Sequence, residues 1–314
     1  MSESRPVPAP RRIVVILNPL ARQWRNRRFA ATLECVRALG CRVEIVATGH
    51  AGEAELLARR IGAADADVLA VAGGDGTINE VVNGLRPDAP PLAVIPLGTA
   101  NVFAREIGLP RAPAGLAAVL AWGAPMAIRC ATANGRRFVQ MAGIGFDARV
   151  VEAVDPRLKR RLGKLAYGLE ILHQWGRYRP ARYRVEAAGE RLEASTVIIA
   201  KGRYYGGGFI VDPAADVTRP ELRVCAFLRG GRWALLRYLA ALGAGALAGR
   251  GDVRTFAATE VEVAGADGEA VQLDGDIRCL LPCRFALAPH PIRILAGPAP
   301  LNPPRAGDSP RRSR

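Results

Sequence analysis

VAGGDGTINEVVNG, residues 71–84, leaves a hydrophobic run through three glycines gathered around one carboxylate and then reads as a helix. An ordinary strand-to-helix turn needs about one glycine; Gly73, Gly74 and Gly76 around Asp75 let backbone lie directly against a ligand. Phosphate suits such a turn, because a helix N-terminus offers free N–H groups and the positive end of a dipole. Asp75 is placed to hold a magnesium ion or to steer an attacking group. The other reading is a glycine-rich turn in which Asp75 caps the helix from Thr77. Neither GxxxxGK[ST] nor GxGxxG is present, so neither fingerprint explains the stretch.

Upstream, RRIVVILNP (11–19) carries an unbroken β-branched run that predicts a strand buried on both faces. A helix over 26–39, a strand RVEIVAT (42–48), a helix over 52–61 and a strand DVLAVAGG (67–74) follow. The helix from Thr77 to Leu85 and a fourth strand LAVIPLG (92–98) continue the alternation to about Trp122. That grammar is a parallel α/β sheet with helices on both faces. Ligands in such sheets bind at the carboxyl ends of strands, where Asn18, Thr48, the glycine loop and Gly98 fall. IPLGTANVFAREIGLP (95–110) again leaves a strand through glycine, placing Thr99 and Asn101 at a helix start. Two adjacent turns of this type make one composite nucleotide site, or two ordinary capped turns.

After about Pro125, short alternating runs take over, among them RYRVEAAGERLEASTVIIAKG (182–202) and CRFALAPHPIRILAG (283–297). They predict a mainly antiparallel β domain, interrupted by helices near 157–176 and 232–248. The expected division is an α/β nucleotide-binding domain over 11–125, a β-sandwich domain over 126–298 and a disordered, proline-rich basic tail over 299–314.

The 314 residues carry a formal net charge of +15, and only three of the basic residues are lysines: Lys159, Lys164 and Lys201. A surface this basic favours polyanions, either nucleic acid or an anionic membrane face. Arg157–Lys164 and His173–Arg184 concentrate the charge beside Trp175, Tyr178 and Tyr183. That pattern suits membrane docking or a solvated face with a strand edge, and no nucleic-acid-binding motif accompanies it. Six cysteines without a CxxC pair, with three isolated histidines (His50, His173, His290), argue against structural zinc and for a cytoplasmic protein with reduced thiols. MSESRPVPAPRR lacks the apolar core of a secretory signal. WALLRYLAALGAGALA (233–248) is too short for a membrane span and contains Arg237.

NP (18–19), GGDGTINEVVNG (73–84), PLGTANVFAREIGLP (96–110), GIGFDARVV (143–151), YGGG (205–208) and LDGD (273–276) occur in this order. Together they resemble the diacylglycerol kinase catalytic family, which includes bacterial lipid kinases and sphingosine kinases; NAD kinases and phosphofructokinases share GGDGT. The resemblance covers roughly residues 11–300. It implies an NAD kinase/phosphofructokinase-like α/β domain that binds ATP and a β-sandwich domain that presents a lipid hydroxyl. By position, Thr48, Gly73, Gly74, Asp75, Gly76, Thr77, Ile78, Asn79 and Thr99 look like ATP contacts, beside Asn18, Gly98 and Asn101. Asp75 would act through Mg2+ at the phosphates. Asp276 would be the general base, with Asp274 nearby, although Asp75 is the other candidate for that role. Asp147 looks like a lipid head-group contact.

Several positions depart from the family pattern. Asp276 stands where many members have Glu, and Val102 stands where they have Asp. NPLARQWRNR (18–27) replaces the family's small, glycine-rich turn and leaves Arg22 and Arg25 as candidate phosphate contacts. In ADVTRPELRV (215–224), the family's accessory magnesium loop, Arg219 occupies an acidic position. An ion at Asp216 and Glu221 is thereby put in doubt: a guanidinium replaces it, or the site is empty. The implied partners are a lipid alcohol and an anionic membrane surface, not nucleic acid, with a peripheral location and a homodimer compatible with the chain. A diacylglycerol-like, sphingoid or phosphatidylglycerol-like acceptor fits equally. The alternatives are an NAD kinase-like phosphotransferase, opposed by GTANVFAR, GFDA and DGD, and a non-catalytic nucleotide- or membrane-binding relative.

Overall fold

The computed structural model describes residues 10–21, 27–154 and 164–297. Arg22, Arg25, most of the Arg157–Lys164 stretch and the expected basic tail lie outside the described residues.

In the N-terminal half the elements are β1 (Arg12–Leu17), α1 (Arg27–Ala38), β2 (Arg42–Ala47), α2 (Glu53–Arg60), β3 (Val68–Gly73), α3 (Asp75–Gly84), β4 (Leu92–Pro96), α4 (Val102–Glu106), α5 (Pro113–Trp122) and β5 (Pro125–Ile128). β1 to β4 are parallel, in the order β2-β1-β3-β4. Alternate residues of β1 and β3 point to opposite faces, and both faces are covered. Ile13, Val15, Val68 and Ala70 pack under α1 and α5, while Val14, Ile16, Leu69 and Val71 pack under α2 and α3. A strand buried on both sides has no polar face to alternate with, hence the continuous apolar runs. Leu17 pairs with Ala47 and Ala72, and Gly73 with Pro96, so the four strands end level along one edge.

The C-terminal half contributes β6 (Ala131–Ala133), β7 (Arg136–Phe138), β8 (Met141–Ile144), α6 (Phe146–Ala153), α7 (Lys164–Arg177), β9 (Tyr183–Ala187), β10 (Glu190–Ala194) and β11 (Thr196–Ala200). There follow β12 (Tyr204–Tyr205), β13 (Phe209–Ile210), β14 (Leu222–Phe227), α8 (Arg232–Gly243), β15 (Val253–Ala258), β16 (Glu260–Ala264), β17 (Ala270–Leu273), β18 (Asp276–Leu280), β19 (Cys283–Leu287) and β20 (Ile292–Leu295). Two antiparallel sheets, β10-β9-β16-β19-β6-β7 and β15-β14-β11-β8-β17-β18, form a sandwich. Phe138, Tyr183, Val185, Val197, Ile199, Val261 and Phe285 fill its interior. α8 covers the outer face of the second sheet through Ala234 and Tyr238.

Two differences from the sequence reading stand out. CRFALAPHPIRILAG divides: β19 stays in the sandwich, whereas β20 crosses to the first sheet, parallel to β4 and antiparallel to β5. Alternation along a strand does not encode which sheet takes it. Tyr183, grouped above with interfacial aromatics, is fully buried, and its hydroxyl donates to Glu269 at 2.6 Å.

Candidate active site

The level strand ends bring the two glycine turns together. A Cβ on Gly98 would stand 2.6 Å from Gly74 Cα, closer than side chains approach backbone, so the turns touch only because both lack side chains. Leu97 N–H donates to Gly73 O at 2.9 Å and ties the turns in register. Asn101, in the left-handed region at φ +48°, accepts from Gly98 N–H at 2.8 Å and donates to Gly98 O at 2.9 Å. Thr77 folds back over Gly73, and its Oγ1 accepts from Asn18 Nδ2 at 2.9 Å. Thr48, buried at the end of β2, donates its N–H to Leu17 O, and Thr99 is exposed beside the turn. Asn18, Thr48, Gly73, Gly74, Gly76, Thr77, Gly98, Thr99 and Asn101 therefore lie along one edge.

Ile78 and Asn79 have other surroundings. Ile78 is in the core and its N–H donates to Gly74 O. Asn79 is 2% exposed, and its amide donates to Asp274 Oδ2 at 2.8 Å and Arg137 O at 3.1 Å, joining α3 to the sandwich.

Three carboxylates gather where the halves meet. Asp75 opens α3, half-buried, and Oδ1 accepts the Phe103 N–H at 3.3 Å. Burial pushes its pKa up to about 6, further raised by Asp274 and opposed by that N–H. Asp276 reaches the same turn from β18: a Cβ on Gly76 would be 2.9 Å from Asp276 Oδ2. Arg278 lies 3.3 Å from Asp276 and 3.7 Å from Glu80. Asp274, at φ +51°, accepts from Asn79 Nδ2 and from the N–H groups of Val139, Gln140 and Met141 at 2.8–3.1 Å. Four protein donors engage both its oxygens, which makes it the clasp that sets the angle of the DGD turn.

Asp75 should depress stability in the free protein. Between the ordinary value of 3.8 and about 6, the folded chain holds the Asp75 proton and the unfolded chain does not, so stability falls as pH rises through that window. Asp75→Asn keeps an acceptor for Phe103 and carries no charge. It should be more stable than the wild type by about 1–3 kcal/mol at neutral pH. Melting curves against pH should show this gain shrinking through pH 6 and disappearing below the ordinary value; a constant difference would contradict the buried-charge reading.

The comparisons with known proteins meet this geometry at both halves. Residues 12–133 match the model of the diacylglycerol kinase catalytic domain, and 140–296 that of the YegS C-terminal NAD kinase beta sandwich-like domain. A probable lipid kinase YegS-like of Pseudomonas aeruginosa is 32% identical over 305 residues, covering 94% of this chain and 98% of that protein. The chain belongs to the diacylglycerol kinase catalytic-domain family. A diacylglycerol kinase of Bacillus subtilis is 35% identical over 192 residues, 60% of this chain and 63% of that one. A crystal structure of a putative diacylglycerol kinase from Bacillus anthracis superposes with a TM-score of 0.78 at 25% identity, covering 95% of this chain and 99% of that one.

A kinase family implies ATP and a divalent cation, and the residues present fit both. The paired turns form a cradle that any side chain would fill, and Asp75 and Asp276 supply hard oxygen ligands beside it. The accessory loop gives the opposite result. Asp216 Oδ1 accepts from Thr218 N–H and Oγ1, and Arg219 stands 3.8 Å from Asp216 and 3.9 Å from Glu221. Asp216 and Glu221 do not fit an ion there.

On the acceptor side, Asp147 is 7% exposed and has both oxygens engaged. The Tyr205 hydroxyl donates to Oδ1 in a short hydrogen bond, and Gln272 Nε2 donates to Oδ2 at 2.7 Å. Gln272 Oε1 in turn accepts Gly275 N–H at 2.7 Å, so the chain Tyr205–Asp147–Gln272 ends on the turn between Asp274 and Asp276. Gln272 was not singled out in the sequence; an amide at a buried position of an apolar strand is the signal that could have found it. Glu106 was missed too: its Oε2 accepts from the N–H groups of Arg203 and Tyr204, tying α4 to the β12–β13 hairpin.

Proposed function

We propose that the chain is an ATP-dependent lipid kinase that transfers the γ-phosphate to the hydroxyl of a diacylglycerol-like lipid alcohol. The observation that carries this reading is the approach of Asp276 to the phosphate turn: its Oδ2 lies 2.9 Å from where a Cβ on Gly76 would stand, so a carboxylate of the sandwich borders that turn. The paired turns cradle the phosphates, and the level strand ends hold the nucleotide. Asp75 would hold a divalent cation, which would supply charge neutralisation on the transferring group. Asp276 accepts the proton of the lipid hydroxyl as its oxygen bonds to the γ-phosphorus and the bond to the β-phosphate oxygen breaks. No covalent enzyme intermediate is required. Asp274, held by four donors, orients Asp276, and Asp147 acts through Tyr205 and Gln272. A recess of about 330 Å3 lined by Arg136, Ile277, Arg278, Cys279 and Leu280 adjoins Asp276 and offers polar and apolar walls to an amphiphile.

An anionic membrane surface suits the helical surface formed by α7 and α8. α7 and α8 pack through Trp175 against Trp233, and Leu172, Trp233 and Leu236 are exposed among Arg177, Arg232 and Arg237. Apolar and aromatic side chains rimmed by arginine match an anionic headgroup region. Among the described residues no helix is long and apolar enough to cross a membrane. Trp233→Ser with Leu236→Ser should reduce co-sedimentation with anionic vesicles by about tenfold, the equivalent of 1.4 kcal/mol. Unchanged co-sedimentation would move the docking face elsewhere. For the reaction, ADP release that rises with diacylglycerol content in mixed micelles is the expected result; release independent of lipid would count against a lipid acceptor.

A further inference from the structure

The accessory loop holds a cation of its own. β11 ends at Ala200, and the next side chain, Lys201, is 1% exposed. Its ammonium donates to the carbonyls of Asp216, Val217 and Arg219 at 3.1, 2.9 and 2.5 Å. Three carbonyls from four successive residues aimed at one point are the hard-oxygen geometry of a cation site. An ammonium has three N–H donors, and all three are matched. The surrounding charge agrees: burial draws Lys201 down to about 8 against the opposing pull of Asp216, Glu221 and Glu106, so it remains protonated at neutral pH. Arg219 covers the two outer acids. A divalent ion could reach the carbonyls only by displacing a buried ammonium or by sitting beside two positive charges.

We propose that Lys201 is the resident cation of the 216–219 carbonyl cage, so that this loop is ordered without a bound metal. The position gives the arrangement a purpose. Lys201 N–H and Gly202 N–H both donate to Gln140 O, and the following residues bind Glu106 and, through Tyr205, Asp147. The ammonium thus pins the loop to the strand end from which the acceptor-side hairpin departs. Metal is then needed only at the nucleotide, which separates folding of the acceptor side from cation supply. This holds whichever lipid is the acceptor.

The test uses the nucleotide-free full chain, so that catalysis does not enter. After dialysis against a chelator, its metal content is measured by mass spectrometry and its melting temperature is followed in EDTA and in millimolar Mg2+, Mn2+ and Ca2+. The expected result is no retained equivalent of divalent metal and no change in melting temperature, apart from any that is lost in Asp75→Asn with Asp276→Asn, which removes the active-site ligands. A site on the loop would raise the melting temperature by several degrees at saturation in the wild type and equally in that double variant; that shared rise, or an equivalent retained by both, would overturn the proposal. Lys201→Ala, which opens the cage, should melt several degrees lower and gain a saturable response to Mn2+ or Mg2+. A variant that melts like the wild type would show that the ammonium does not hold the loop and would also overturn it. The comparison of the wild type with the double variant decides whether or not Lys201→Ala folds.

Discussion

On the proposed mechanism Asp276→Asn should lower the rate of phosphoryl transfer by about 10²–10⁴-fold, the usual contribution of a positioned general base, while nucleotide affinity should stay close to that of the wild type. The expectation follows from placement. Asp276 opens β18, and its carboxylate faces the backbone of Gly76, the middle of the phosphate turn. It is a carboxylate of the sandwich that borders the proposed phosphate turn. Asp274 has both oxygens engaged by four donors, and Asp75 lies half-buried within the turn under Phe103. Asparagine keeps the shape and removes the proton acceptor, so the loss falls on kcat. Asp75→Ala should behave differently, raising the KM for magnesium nucleotide because it would remove the proposed ligand of the cation. Asp276→Glu adds one methylene and should retain part of the rate. If Asp276→Asn keeps most of its kcat, the base is another group, and Asp75 is the remaining candidate.

Gly98→Ala should abolish measurable nucleotide binding and destabilise the fold by about 1–3 kcal/mol, the usual effect of forcing a methyl group into a packed site. The new Cβ would stand 2.6 Å from Gly74 Cα and 2.9 Å from Asn101 Oδ1. The neighbour on one side is backbone, which cannot rotate away, so the two turns must separate. Their separation also strains the Leu97-to-Gly73 hydrogen bond that sets their register. Gly243→Ala is the control: a Cβ there meets nothing within 4 Å, at the end of α8 where alanine is the better helix former. Calorimetric titration with a magnesium nucleotide should show binding lost in the first variant and kept in the second. Retained affinity in Gly98→Ala would mean that the paired turns are not the phosphate cradle.

The α/β half was legible because its signals are local. Both-face burial writes continuous apolar runs, and the glycines announce the turns, so Asn18, Thr48, Gly74 and Gly98 could be placed along one edge before any pairing was known. What stayed hidden depends on partners distant in the chain. β20 reads like any sandwich strand, yet it completes the first sheet beside β4. Asp274 looks like a second acid in LDGD, and only the N–H groups of Val139 to Met141, more than 130 residues away, make it a clasp. Asp147 was found through GFDA, but the Tyr205 and Gln272 bonds that occupy it join three separate stretches. Arg219 marked the accessory loop as unusual; Lys201, which fills the cage, drew notice only as one of three lysines.

The most direct measurement is transfer of labelled γ-phosphate from ATP to lipids in mixed micelles, with diacylglycerol, a sphingoid base, phosphatidylglycerol and, as a soluble acceptor, NAD offered side by side. Label entering a lipid in the wild type and disappearing in Asp276→Asn is the predicted result, and the labelled species names the acceptor. Label entering NAD instead, or ATP bound with no acceptor labelled, would contradict the lipid kinase assignment.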